Sequence, residues 1–294
     1  MFHLFKIMLN LLGSSKDFMK NICLLIIDPQ KDFCDKRGSL FVPGADKDMQ
    51  RLDAMIYSLS DRISKIFVSL DFHKFDSIFH ECWYTDDNGD GPAPFEIISS
   101  DDLEIGKWHT VFPDTEEYTV SYIKELESRD KSLIIWPYHC LSTYQDLYIG
   151  EQDGASIVRP ISDALHFYSD GNFGDIQYIV KGTNRFTEQF SIFKPEVADE
   201  SLFSKDLLKE LEDFDLILVS GEAGSHCVAE SLMDMYFHFE DDESAGKVIL
   251  IGDTISPVPG FKDKQKEVVK LLKSMGMIVK KTTNIRKYID SIWD

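Results

Sequence analysis

The sequence predicts a doubly wound α/β fold, with a mainly parallel sheet and helices on both faces. Three observations carry this prediction. Short apolar runs alternate with segments of helical periodicity along most of the chain. The runs are rich in Ile, Val and Leu without polar interruption, as strands covered on both faces require. Several runs end in polar, chemically capable residues, as strands do where they open onto a ligand crevice.

The elements follow in order. Residues 22–27 are continuously apolar and close on Asp28-Pro29, which reads as a buried strand. Residues 46–59 carry Met49, Leu52, Met55 and Ile56 at helical spacing. A second strand is expected at 66–70, a helix at 117–128 and a third strand at 132–136. Helix 156–168 leads to a fourth strand at 176–180, and helix 202–211 to a strand at 216–219. Helix 225–239, strand 248–251, helix 265–275 and strand 277–279 complete the pattern. No repeat or low-complexity linker interrupts it, so 21–294 reads as one domain after an N-terminal extension over 1–20. Met19 offers an alternative start. The alternation breaks once: residues 81–106 hold eight acids and no base, with Asn88-Gly89-Asp90-Gly91-Pro92-Ala93-Pro94 inside. A long irregular segment of this kind is a solvated surface loop or an active-site lid. The expected insertion spans roughly 81–130.

Composition narrows the function. The 294 residues carry a formal charge of −20. A nucleic-acid binder must neutralise phosphates with Lys and Arg, and an anionic membrane surface repels acids, so neither partner is expected. No apolar stretch reaches the roughly 18–20 residues of a membrane span. The five cysteines, Cys23, Cys34, Cys82, Cys140 and Cys227, are odd in number and widely spaced. They suggest neither a disulfide framework nor a Cys-type zinc site, and a reducing cytoplasm fits them.

The chemistry gathers at strand ends. Cys227 follows a strand and a Gly-x-Ala turn, at the start of a helix whose free N–H groups and dipole favour a thiolate; a small buried core cysteine is the alternative. Asp28 ends an apolar strand, where an unpaired carboxylate is costly, and is either a general base or a turn residue. Lys181 ends another, either emerging into water or aimed into the crevice, where it would lower the pKa of neighbouring acids. Asp71-Phe72-His73 and the His139 of Trp136-Pro137-Tyr138-His139-Cys140 supply a carboxylate and two imidazoles. That donor set suits Zn, Fe or Mn and leaves positions open for water or substrate. His80 is a candidate fourth ligand. Together these residues outline a metal-assisted cysteine hydrolase.

The motifs resemble those of the isochorismatase-like cysteine hydrolases, and most of all a long-insert, nicotinamidase-related amidase, from about residue 21 to about residue 280. Asp28-Pro29-Gln30-Lys31-Asp32-Phe33 resembles the family's D-x-Q-x-D-F opening. Gly38-Ser39-Leu40 and Val42-Pro43-Gly44 follow as they do in nicotinamidases. Asp71-Phe72-His73 resembles D-x-H, residues 136–140 resemble W-P-x-H-C, and Val180-Lys181-Gly182 and the stretch from Gly221 to Val228 complete the series. The resemblance implies Asp28, Lys181 and Cys227 as catalytic residues. It implies an oxyanion hole at the Ala223 and Cys227 amides, a cis peptide at Glu222-Ala223, and a divalent metal on Asp71, His73 and His139. Phe33 is implied as a ring-stacking wall, and Trp108 is a second expected ring contact.

The expected reaction releases ammonia from a small aromatic or heteroaromatic carboxamide, nicotinamide first. A ureido or carbamoyl substrate is the alternative, and a non-catalytic binding domain a further one. The expected partner is the small-molecule amide, with a homo-oligomer left open. Two departures stand out. Glu222 occupies a place usually held by a small apolar residue, and the gap from His73 to His139 is long.

Overall fold

The computed structural model describes residues 21–141, 154–172, 174–197, 203–239 and 246–293. The N-terminal extension and the start of the helix expected from residue 202 lie outside them.

Strand β1 (Ile22–Ile27) is wholly buried, and its side chains divide between two cores. Ile22, Leu24 and Ile26 enter one apolar cluster; Cys23, Leu25 and Ile27 enter the other. Alternate residues of a strand point to opposite faces, so both faces of the sheet are covered. The same division recurs in β2 (Lys65–Asp71), β8 (Leu216–Gly221) and β9 (Val248–Ile251). With β7 (Asp175–Lys181) and β10 (Ile278–Lys280) these form one six-stranded sheet in the order β10-β9-β8-β1-β2-β7. Every pairing in it is parallel. The chain leaves β1 toward β2 and leaves β8 toward β9. The β1/β8 boundary is therefore the switch point where loops part and open a crevice.

The helices that link these strands are Ala45–Leu59, Arg159–Asn172, Lys205–Glu212, Cys227–His238 and Lys262–Ser274. Each lies within a few residues of its expected range. Two expectations need correction. The apolar run 132–136 does not join the central sheet: only Leu133–Ile134 (β6) is extended, and it pairs antiparallel with Ile97–Ile98 (β4). The β2 edge that it would have used is occupied by β7. An apolar run reports burial, not partner, and here Leu133, Ile135 and Trp136 are buried outside the sheet. Second, the chain does not end on a strand but on the helix Thr282–Trp293, whose Ile285 and Ile289 are both fully buried in the larger core.

The insertion is built of small pieces. Tyr84–Thr85 (β3) pairs with His109–Thr110 (β5), and the helix Ser100–Glu104 starts on a capping box between Ser99 and Asp102. The helix Glu116–Glu127 then returns the chain toward β6.

Candidate active site

Asp28, Lys181 and Cys227 meet at the switch point. Asp28 leaves β1 with φ +45, a region that side chains other than glycine seldom adopt. That turn aims its carboxylate back over the strand ends. Ser69 Oγ donates to Asp28 Oδ1 at 2.6 Å and accepts from the Asp28 amide at 3.1 Å. Lys181, the last residue of β7, is buried with Nζ 2.9 Å from Asp28 Oδ2, 2.8 Å from Asp71 Oδ1 and 3.6 Å from Cys227 Sγ. It also donates to the Gln189 carbonyl at 3.0 Å. One carboxylate oxygen from each of Asp28 and Asp71 lies with the Cys227 sulfur in a group within 4.8 Å of one another.

The electrostatics follow from this burial. Burial pushes the Cys227 thiol well above its ordinary value, with the ammonium of Lys181 opposing it. Burial also raises Asp28, again against Lys181. For Lys181 burial pulls down, but Asp28 and Asp71 outweigh it and hold the ammonium charged. Burial thus opposes charge on Cys227 and Asp28 alike, and Lys181, 2.9 Å from Asp28, is the group that counters it.

Cys227 is the first residue of its helix. The turn before it contains the cis peptide Glu222-Ala223. Gly221 lies at φ +121, and a Cβ there would sit 2.0 Å from the Ile27 carbonyl. Only glycine lets β8 pass so close to β1 at this point. The Ala223 carbonyl accepts from the His226 and Val228 amides at 3.0 and 3.2 Å, which closes the turn beneath the sulfur.

Asp71, His73 and His139 offer three donor atoms within the same 4.8 Å limit. His139 is not carried by a central strand. It is brought in by a parallel bridge between His73 and Leu141, with the His73 amide donating to the Cys140 carbonyl at 3.0 Å. His139 Nδ1 faces the Pro137 carbonyl at 2.8 Å, which leaves Nε2 for a metal. Burial holds His139 well below its ordinary pKa, so the ring is neutral and able to ligate. For Asp71 burial acts upward, but His73 and Lys181 prevail and keep it ionised. Gly182 is required here: a Cβ would lie 2.6 Å from His73 Cε1 and 2.7 Å from Asp71 Oδ1. His80 stands behind the set, its ring 6.2 Å from that of His73 and 6.1 Å from that of His139. Its buried Nε2 has no hydrogen-bond partner. A carboxylate, two imidazoles and this unpaired imidazole nitrogen fit a divalent transition metal.

A cavity of about 370 Å³ lies near the site, although none of Asp28, Asp71, His73, His139, Lys181 and Cys227 lines it. Phe79, whose ring lies edge-on to His73 at 4.8 Å, lines it together with Glu188, Phe190 and His226, the residue before Cys227. The Trp136 ring packs edge-on against His226 at 5.3 Å. Tyr122 and Leu126 of the insertion form part of its wall. Phe33 lies edge-on to His139 at 5.4 Å. Trp108 is not among the cavity residues; it is buried within the core, with Lys107 over its ring. Phe95 caps Trp136 from outside, ring to ring at 5.8 Å.

Sequence reasoning missed Trp136, Phe190, His226 and Glu188 as site residues. The first and third sit inside motifs already singled out, and that position was the available signal. Glu188, which burial pushes up to about 7, had none.

These strand ends, crevice and covering helices make a doubly wound α/β fold with one parallel six-stranded sheet. By sequence, no family model and no curated protein matches the chain. By structure, it is similar to a nicotinamidase/pyrazinamidase from Acinetobacter baumanii, at 18% identity and TM-score 0.60, over 90% of this chain and 98% of that one. It is similar to the yeast nicotinamidase bound to the inhibitor nicotinaldehyde, at 18% identity and TM-score 0.59, over 88% and 99%. The pyrazinamidase of Pyrococcus horikoshii in complex with zinc aligns at 18% identity and TM-score 0.50, over 89% and 99%.

Proposed function

We propose that the chain is a metal-assisted cysteine amidohydrolase that releases ammonia from a small aromatic or heteroaromatic carboxamide, with nicotinamide the first candidate. The observation that carries this reading is the placement of Lys181 Nζ among Asp28, Asp71 and Cys227 at the switch point. The nicotinamidases and pyrazinamidases that share the fold support it.

Asp28 takes the Cys227 proton as the sulfur attacks the amide carbon. The negative oxygen of the tetrahedral adduct is received by the Ala223 and Cys227 amides. Asp28 then protonates the departing nitrogen, and ammonia leaves a thioester. Water, deprotonated by Asp28, attacks the thioester, and the sulfur departs to regain its proton. Lys181 stays charged throughout and keeps Asp28 from retaining the proton. A divalent metal on Asp71, His73 and His139, whether Zn, Fe or Mn, would bind a ring nitrogen and so orient the amide. In this reading Phe33, edge-on to His139, would wall a bound ring, and the 81–130 insertion would serve as a lid through Tyr122 and Leu126.

One observation favours a second reading. The outer cavity carries Lys131, Lys264, Glu196 and Glu230, a rim suited to a more polar ureido or carbamoyl substrate with the same triad. Ammonia release from nicotinamide, pyrazinamide, benzamide and a ureido compound separates the two. Nicotinamide and pyrazinamide well above benzamide support ring-nitrogen coordination; turnover of the ureido compound alone sinks the carboxamide reading. All five cysteines are free, in keeping with a reducing compartment such as the cytoplasm. Among the described residues no helix is long and apolar enough to cross a membrane.

A further inference from the structure

Glu222 is fully buried beside the nucleophile turn, yet its side chain turns away from the cavity. Oε2 accepts from the Ser256 amide at 3.0 Å. Oε1 has no donor facing it; the group it meets is the carboxyl of Asp48. Asp48 is already engaged: Arg51 pairs with it, and Ser256 Oγ donates to it. Two neighbouring carboxylates bridged by Ser256, with one guanidinium paired to Asp48, would leave a buried charge unbalanced. A single proton on Glu222 removes that charge and supplies the missing donor.

Ser256 gives this pair a mechanical consequence. Its amide holds Glu222, and its carbonyl accepts from the Gly224 amide at 2.8 Å. The residues on both sides of Ala223 are thus clamped to one serine. The clamp continues on each side: Gly221 donates to the Thr254 carbonyl at 3.3 Å, and the Val258 amide donates to Ser225 Oγ at 3.0 Å. Arg51 Nε anchors the turn after β9 by donating to the Asp253 carbonyl.

We infer that Glu222 is a neutral acid and a positioning residue: its proton bridges to Asp48, and the Glu222–Asp48–Ser256 clamp fixes the Ala223 amide beside Cys227. The role given to Ala223 rests on the amidohydrolase reading; the clamp does not. Burial and Asp48 both push the Glu222 carboxyl well above its ordinary value. The charged or titratable groups facing it are Asp48 and Arg51 on the helix Ala45–Leu59 and the Cys34 thiol on the short helix Lys31–Cys34. Loss of the proton sets two carboxylates against each other and breaks the Glu222–Asp48 side of the clamp, so the turn loosens as pH rises.

The test compares wild type with Glu222→Gln and Glu222→Ala. Glutamine keeps an acceptor for the Ser256 amide and a donor for Asp48; alanine keeps neither. At neutral pH the infrared spectrum of the wild type should contain a protonated-carboxyl band that the glutamine variant lacks. The rate of Cys227 alkylation by iodoacetamide, followed against pH, should change severalfold in the alanine variant. Glutamine should restore the wild-type rate and extend its plateau to higher pH. On an amide substrate, the alanine variant should lose about tenfold to a hundredfold in kcat with KM nearly unchanged, and glutamine should recover it. Absence of the carboxyl band, or a glutamine variant as impaired as alanine, overturns the inference. The band and the alkylation pattern in a protein that hydrolyses no amide would uphold the clamp while defeating the amidohydrolase reading.

Discussion

Lys181 sets the charge balance of the site, because its one ammonium reaches all three of Asp28, Asp71 and Cys227. Lys181→Met keeps the bulk and removes the charge. It should cost about 3–5 kcal/mol in denaturant unfolding, since two buried carboxylates lose their counter-ion, and it should abolish turnover. A stability near wild type would argue that the carboxylates are balanced otherwise. Glu222 gives a pH prediction. Its folded pKa lies above the ordinary 4.5, so its contribution is fully present below that value and is lost as pH rises through the folded pKa. Glu222→Gln should flatten this alkaline loss in a series of melting temperatures across pH; an unchanged slope would place the proton elsewhere. Asp28, Asp71, His73, His139, Lys181 and Cys227 were all legible in the sequence, because each sits in a motif at or just past an apolar run. The direction of Glu222 was not legible: a turn residue has no periodicity, and its partners Asp48 and Ser256 are remote in sequence.

At the scale of elements, the strand ends hold the donors apart by fixed geometry, and Gly182 marks how tightly. Gly182→Ala should leave the fold intact but lower metal content, measured by elemental analysis, because its Cβ falls on His73 and Asp71; full loading would show that the cluster gives way. The central strands were readable because parallel strands buried on both faces leave uninterrupted apolar runs. The run 132–136 deceived for the same reason: the insertion buries it as thoroughly as a sheet would. The last helix escaped notice because its apolar stripe of Ile285, Tyr288, Ile289 and Ile292 is narrow and opens on Thr282, Thr283 and Asn284. Ile289 packs in the larger core. Ile289→Ala should therefore cost about 2–5 kcal/mol, read as a lower urea midpoint; an unchanged midpoint would mean the helix contributes no core.

For the whole molecule, one sheet with a switch point at β1 and β8 brings together residues from opposite ends of the chain. The formal charge of −20 surrounds a site in which one buried ammonium is shared by two carboxylates. The account's central claim is that Cys227 is an amidohydrolase nucleophile in this crevice. The direct measurement is ammonia release from nicotinamide by purified wild type and by Cys227→Ala, with circular dichroism to confirm that both are folded. The account predicts release by the wild type and a fall of several orders of magnitude in the folded alanine variant. Turnover retained without the thiol would contradict it.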